Sequence, residues 1–426
     1  MNWTRLRGTY NRRKEIILFL RKIVLTTLAG TLSFSAQAQT RRTRRTTTPP
    51  TSVPAAPRTS NANSATAATG INITATDMSL IIDGSLGLLP EDRARLSANP
   101  EERKDFARNI RRTLAAAEEA KAAGYLARPE LKLKTELSRA FVIAEAYFKQ
   151  REDAGVTDPE KVVTAAEVDA FFNELATGPE FEAFLRDYSK NSGRSGAPIS
   201  EKTRKELRYN YGRVMVGMRK GITAGLDRDR STQLTVMLHQ AKLLAGAYAQ
   251  EMKAHFQPTA AEIDAYIAAN PDYDTKAERA KIEAILQRVR AGEDFAKLAD
   301  EFTEDPGGKG KGGDLGWFGR GAMVKVFEDA AFGLKPGEVS SVLETPFGFH
   351  IIKLDNRRAQ GASAEVHARH ILIEYKSTGR RPVSPMFPRD KAKAALQDEK
   401  LDRTLDEAAV RRHIQVAEDF AVGTGK

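Results

Sequence analysis

"FTEDPGGKGKGGDLGWFGRGAMVKVFEDAAFGLKPGEVSSVLETPFGFHIIKL", residues 302–354, is the stretch on which the fold turns. It runs from a Gly-rich loop through the strand-like "DLGWF" and a helix to the apolar run "FGFHIIKLD" (347–355). A phosphate-binding reading fails: "GGKGKGGDLG" (307–316) lacks the Gly-Lys-Ser/Thr ending and leads into a strand, not a helix N-terminus. The six histidines show no metal-ligand spacing and there is no cysteine. No Gly-x-Ser-x-Gly nucleophile elbow occurs. A second strand pattern, "HARHILIEY" (367–375), carries His367 and His370, and alternation puts Ala368, His370 and Leu372 on one face.

The matching segments are "GEDFAKLADEF", the Asp305-Pro306 pair, "GGDLGWFGRG" (312–321), "MVKVFEDAAF" (323–332), "LKPGEVS" (334–340) and "TPFGFHIIKL" (345–354). Dense and ungapped, this run resembles the parvulin-type, PpiC-like peptidyl-prolyl cis/trans isomerases. The resemblance implies an α+β domain, with a four-stranded antiparallel sheet wrapped by helices. Met323 and Phe327, four apart on an expected helix, match the family's proline pocket, and Leu315 would close its wall. By motif position Asp305, Thr345 and His350 match three members of the family's polar cluster, whose fourth is a histidine on the first strand. Taken singly, Asp305-Pro306 reads equally well as a turn starter, Thr345 as strand surface and His350 as a satisfied core histidine. The run as a whole favours the family role. The chemistry needs no nucleophile and no cofactor: a dry apolar cup favours the twisted, less polar amide over the planar one.

One departure stands out. The family's first strand, with its His-Ile-Leu-Val-like run, precedes the first helix. Here "ANPDYDTKAERAKIEAILQRV" (269–289) passes directly into the helix, and the His-Ile-Leu-Ile run lies at 370–373, after the last strand. Two readings are open. A hairpin through "NRRAQGASAE" (356–365) would place His370 beside His350 in a circularly permuted domain. Alternatively, residues 366–420 begin a second, truncated copy without a loop or pocket of its own. His367 reads as incidental in both.

The flanks bound the rest. Residues 1–45 carry +10 of the formal charge of +11, so the pI of 9.6 argues for no nucleic-acid partner. Residues 1–38 read as a signal peptide: a basic n-region, an apolar run from Ile23 to Ala36 and an "AQA" cleavage site (36–38). The other reading is a retained membrane anchor; after cleavage no stable membrane span is expected. Residues 39–71 read as a disordered Thr/Pro/Ala-rich tether. Residues 72–270 read as a helical client-binding domain. Its helix start at Asn99 and Pro100, and the stripes Phe106, Ile110, Leu114 and Leu133, Leu137, Phe141, are amphipathic. A weak internal repeat pairs "TAAEVDAF" (164–171) with "TAAEIDAY" (259–266), each capped by its Thr. Met215, Met218, Met237 and Met252 suit a core or an adaptable surface. Residues 271–375 read as the isomerase domain and 376–426 as a connector with a helix, 388–412, and an edge strand, "HIQVAEDF", returning to the helical domain.

The chain is therefore expected to be multidomain: a mostly α-helical chaperone-like part plus an α+β parvulin domain. The expected function is an extracytoplasmic or periplasmic foldase that isomerises X-Pro bonds in unfolded or nascent exported polypeptides. The rival is a holdase chaperone on the same fold with little or no isomerase activity.

Overall fold

The computed structural model describes residues 70–85, 88–174, 177–191, 198–358, 364–375 and 386–423. The expected signal peptide, nearly all of the expected tether, residues 359–363 of the hairpin connection and most of the Pro-rich connector lie outside them. The chain divides into two compact units: residues 1–255 with 401–426, and residues 256–400.

The first unit begins with β1 (Asn72–Ile73), α1 (Ala75–Leu80), α2 (Pro90–Ala98), α3 (Pro100–Ala122) and α4 (Pro129–Asp153). It continues through α5 (Pro159–Val162), α6 (Ala165–Phe172), α7 (Thr177–Asn191), α8 (Glu201–Thr223) and α9 (Arg230–His255). Asn99 caps α3 by accepting the Glu101 amide at 3.0 Å, as the Asn-Pro start implies. The α3 stripe buries Ile110 and Leu114 against Leu234, Leu238 and Leu244 of α9. Helix α8 packs on α4 through small residues: a Cβ on Gly221 would meet Ile143 Cγ2 at 2.7 Å.

The second unit holds α10 (Ala260–Ala269), α11 (Lys276–Arg290), α12 (Phe295–Phe302), β2 (Asp314–Gly319), α13 (Lys325–Gly333), β3 (Leu343–Thr345), β4 (Gly348–Arg358) and β5 (Glu365–Glu374). Helix α14 (Pro388–Arg411) starts in this unit and ends in the first, where β6 (Gln415–Val416) follows. The compact unit thus starts at Phe256 rather than at 271, because α10 buries Ile263 and Tyr266 against Ala392 of α14. Thr164 and Thr259 both build capping boxes, with Glu167 and Glu262. The two repeat helices also bind long helices alike: Glu167 pairs with Lys220 at 2.7 Å and Glu262 with Lys400 at 2.6 Å. Of "HIQVAEDF" only Gln415 and Val416 pair, in parallel with β1, so the expected edge strand is reduced to its centre.

The sheet has the order β2-β5-β4-β3, antiparallel throughout. β5, the strand from the far end of the segment, is central, and β4 and β5 pair as the hairpin reading requires, Ile352 opposite His370. Helices cover both faces, so the strands are apolar on both. Phe349, Ile351, Ile371 and Ile373 pack with Ile282, Ile285, Phe295 and Leu298 on one side. Ile352, Leu354, Val366 and Ala368 pack with Phe318, Phe327 and Ala331 on the other. The segment's two ends meet at Glu344, whose carboxylate accepts the Tyr375 hydroxyl at 2.8 Å and lies 3.9 Å from the Arg279 guanidinium.

Gly313 joins the Gly-rich loop to β5. It has φ +72°, its carbonyl accepts the His370 amide at 2.9 Å, and a Cβ there would meet the His370 carbonyl oxygen at 2.2 Å. Gly313→Ala is therefore expected to lower the melting temperature, with a stability loss of at least about 1 kcal/mol in urea titration. An unchanged midpoint would show that the loop yields at this contact.

Candidate active site

The site is assembled by zipping the end of α12 onto β5. Thr303 Oγ1 accepts the Leu372 amide at 3.1 Å, and the Glu304 amide donates to the Leu372 carbonyl at 2.8 Å. Asp305 is thereby delivered to His370, with Oδ2 and Nε2 3.0 Å apart. The same carboxylate accepts the amides of Gly307 at 3.2 Å and Gly308 at 3.0 Å, which closes the loop start on itself. His370 and His350 lie diagonally across the β4–β5 pair, stacked at 23° with Nδ1 to Nδ1 at 3.3 Å. Thr345 Oγ1 lies 2.8 Å from His350 Nε2 and also accepts the Phe347 amide at 3.2 Å. All four polar residues of the sequence reading thus form one chain, Asp305–His370–His350–Thr345.

Both histidines are buried. Burial, seconded by the neighbouring His370, pushes His350 down to about 3. Burial also lowers His370, against the pull of Asp305. For Asp305 burial acts upward but is outweighed by the hydrogen bonds from His370, Gly307 and Gly308, which leave it below the ordinary carboxyl range. Neutral rings beside an ionised carboxylate permit one proton order. His370 donates Nε2–H to Asp305, His350 donates Nδ1–H to His370, and the Thr345 hydroxyl donates to His350 Nε2. The tautomers are assigned from these partners.

Phe327 caps the two rings edge-on, with centroids 5.4 Å from His350 and 5.7 Å from His370. Leu315 packs in the same apolar cluster. Met323 does not sit on the helix with Phe327: α13 starts at Lys325, and Met323 lies in the preceding turn, 37% exposed. Its amide and that of Gly321 donate to Glu328 Oε1 at 2.8 and 2.7 Å. This buried carboxylate from the first turn of α13 thus fixes the turn ahead of the helix, whose N-cap Val324 has no side-chain cap of its own, a role that sequence reading missed. His367 is not incidental. It bonds Asp314 Oδ1 at 2.9 Å, stacks on Trp317 and latches β2 to β5 on the opposite sheet face, outside the Asp305–Thr345 chain.

Residues 251–358 match the family described as the PPIC-type PPIASE domain, so the chain carries a peptidyl-prolyl isomerase domain of this type. Foldase protein PrsA of Geobacillus kaustophilus is 38% identical over 150 residues, 34% of this chain and 49% of that one. Foldase protein PrsA 4 of Bacillus cereus is 51% identical over 74 residues, 17% and 26% of the two chains. Chaperone SurA of Alkalilimnicola ehrlichii is 41% identical over 87 residues, 20% of each. The chain thus spans half or less of the length of these relatives. A crystal structure of PrsA from Bacillus anthracis aligns with 66% of this chain and 96% of its own at 16% identity, with a TM-score of 0.16.

Each histidine has its pKa lowered in the folded state, so its contribution to stability is full above the unfolded value of 6.5 and is lost as pH falls toward the folded value, about 3 for His350. Below pH 6.5 the unfolded chain binds protons that the fold refuses, at up to about 1.4 kcal/mol per pH unit for each histidine. Stability should therefore fall between pH 6.5 and 4, and His350→Gln should flatten the slope. A flat wild-type profile in urea titrations at pH 7, 6 and 5 would contradict the neutral pair.

Proposed function

We propose that this chain is an exported foldase whose second unit isomerises X-Pro bonds in unfolded exported polypeptides while the helical unit holds the client. The observation that carries the reading is the continuous hydrogen-bonded chain Asp305–His370–His350–Thr345 capped by Phe327. The uncatalysed rotation crosses about 20 kcal/mol because the planar amide is resonance-stabilised. The twisted amide has lost that resonance and its polarity. A site of Phe327, Leu315 and Met323 over two uncharged rings offers it an apolar surround that the planar form, more strongly solvated in water, gains less from. In this reading Asp305, His370, His350 and Thr345 hold the pocket floor in one orientation and keep charge off it, and no covalent step is required.

Export belongs to the same proposal. The basic n-region, apolar run and "AQA" of residues 1–38 direct the chain out of the cytoplasm, and residues 39–71 form a tether ahead of the helical unit. PrsA and SurA are named as foldase and chaperone, which agrees with a client of unfolded protein. Among the described residues no helix is long and apolar enough to cross a membrane.

The test is a prolyl-isomerase assay on Ala-X-Pro-Phe peptides. Wild type should accelerate the exchange, and Phe327→Ala and His370→Ala should each lower kcat/KM by roughly tenfold or more, about 1.4 kcal/mol of transition-state stabilisation. Met323→Ala, at an exposed site, should lower it without moving the melting temperature. Equal, near-zero rates in all forms, together with suppressed aggregation of an unfolded client, would replace the enzyme by a holdase.

A further inference from the structure

Met323, matched to the proline pocket, stands in the turn between β2 and α13, and little holds that turn. Gly321 takes φ +93°, in the left-handed region, and Arg320, Gly321, Ala322 and Met323 are all exposed. Among the described residues the backbone of residues 321–323 makes two hydrogen bonds, and both end on one atom. Glu328 Oε1 accepts the Gly321 amide at 2.7 Å and the Met323 amide at 2.8 Å. Glu328 is itself only 5% exposed. The acceptor is therefore shielded from bulk water, where donor and acceptor lose most when parted. Asp329 grips the same turn from outside, binding Arg320 at 2.8 Å and Lys325 at 2.6 Å through exposed side chains. Ion pairs of that kind hold weakly.

Resting on the reading of the second unit as a prolyl isomerase, we propose that Glu328 is a positioning residue of its site, holding Met323 against the substrate's proline ring through the backbone amides of the turn. Helix α13 then serves the pocket from two adjacent residues. Phe327 lies edge-on over His350 and His370. Glu328, the next residue, ties down the segment that bears Met323. The ring of a bound proline is the same in the planar and the twisted amide, because only the bond ahead of it rotates. Contact with Met323 is therefore gained equally by ground state and transition state. Losing it raises KM and leaves kcat in place.

The experiment uses the full chain and the peptide Ala-Ala-Pro-Phe, with kcat and KM measured well below the melting temperature of each form. Glu328→Ala would strip two amides of their acceptor, so two milder substitutions are compared. Glu328→Asp keeps the charge but is one methylene too short to reach both amides. Glu328→Gln keeps Oε1 and its reach but loses the charge. Glu328→Asp should raise KM about fourfold, the scale of one proline methylene left uncovered, with kcat unchanged. Glu328→Gln should stay within about twofold of wild type, since a neutral acceptor holds about half as strongly as an ionised one. Asp329→Ala should leave both constants at their wild-type values. In a Met323→Ala background Glu328→Asp should add no more than about 1.5-fold, because the group it positions is gone. A wild-type KM in Glu328→Asp, a loss carried by kcat, or equal losses in Glu328→Asp and Glu328→Gln would each overturn the assignment. A fourfold loss that persists beside Met323→Ala would make Glu328 a support of the fold alone. If wild type itself does not accelerate the exchange, the isomerase reading falls, and the role of Glu328 with it.

Discussion

The pairing of β4 with β5 is the constraint on which the second unit depends. β5 lies between β2 and β4, so without it the sheet is two disconnected pieces. The same pairing brings His370 within 3.3 Å of His350, and the ladder hydrogen bonds of Thr303 and Glu304 to Leu372 deliver Asp305. Hydrogen bonds to the β5 backbone thus set the positions of His370 and Asp305, while the β3–β4 pairing sets Thr345. Register matters as much as adjacency: a slip of one residue would turn His370 to the sheet face occupied by Ile371 and Ile373.

The cluster in turn needs its histidines uncharged. Two stacked rings at this distance cannot both be protonated without strong repulsion, and burial has already made the charged form expensive. The ionised Asp305 is tolerable because three donors hold it, two of them amides of its own turn. The polarity is therefore graded along the network, from a carboxylate at the loop to a hydroxyl at the β3–β4 turn, with Phe327 lying over the neutral middle.

Much of this was legible in the sequence because it is local or alternating. The strands at 347–355 and 367–375, the Thr caps of α6 and α10, and the Asn99 start follow from side-chain periodicity and short-range hydrogen bonds. What escaped was set by tertiary partners. The Met323–Phe327 spacing suits a helix, yet Glu328 draws the amides of Gly321 and Met323 into a turn and the helix starts later. His367 gave no sign of purpose because Asp314 is far from it in sequence. The repeat helix at 260–269 shares its signature with the one at 165–172, and only the packing of Ile263 and Tyr266 on Ala392 assigns it to the second unit.

The meeting of Arg279 and Tyr375 at Glu344 has a topological consequence. The segment from α11 to β5 leaves its surroundings and returns to them at neighbouring points, the condition under which a folded body can be spliced into another chain without stretching it. The hairpin closes what would be the ends in the family's usual order, and the new ends lie at α11 and after β5. The sheet is consequently held by two leashes instead of one. A single backbone cleavage in either connection would leave it attached, and its unfolding would pay out slack into a closed loop rather than a free tail, a restriction that lowers the entropy gained on unfolding.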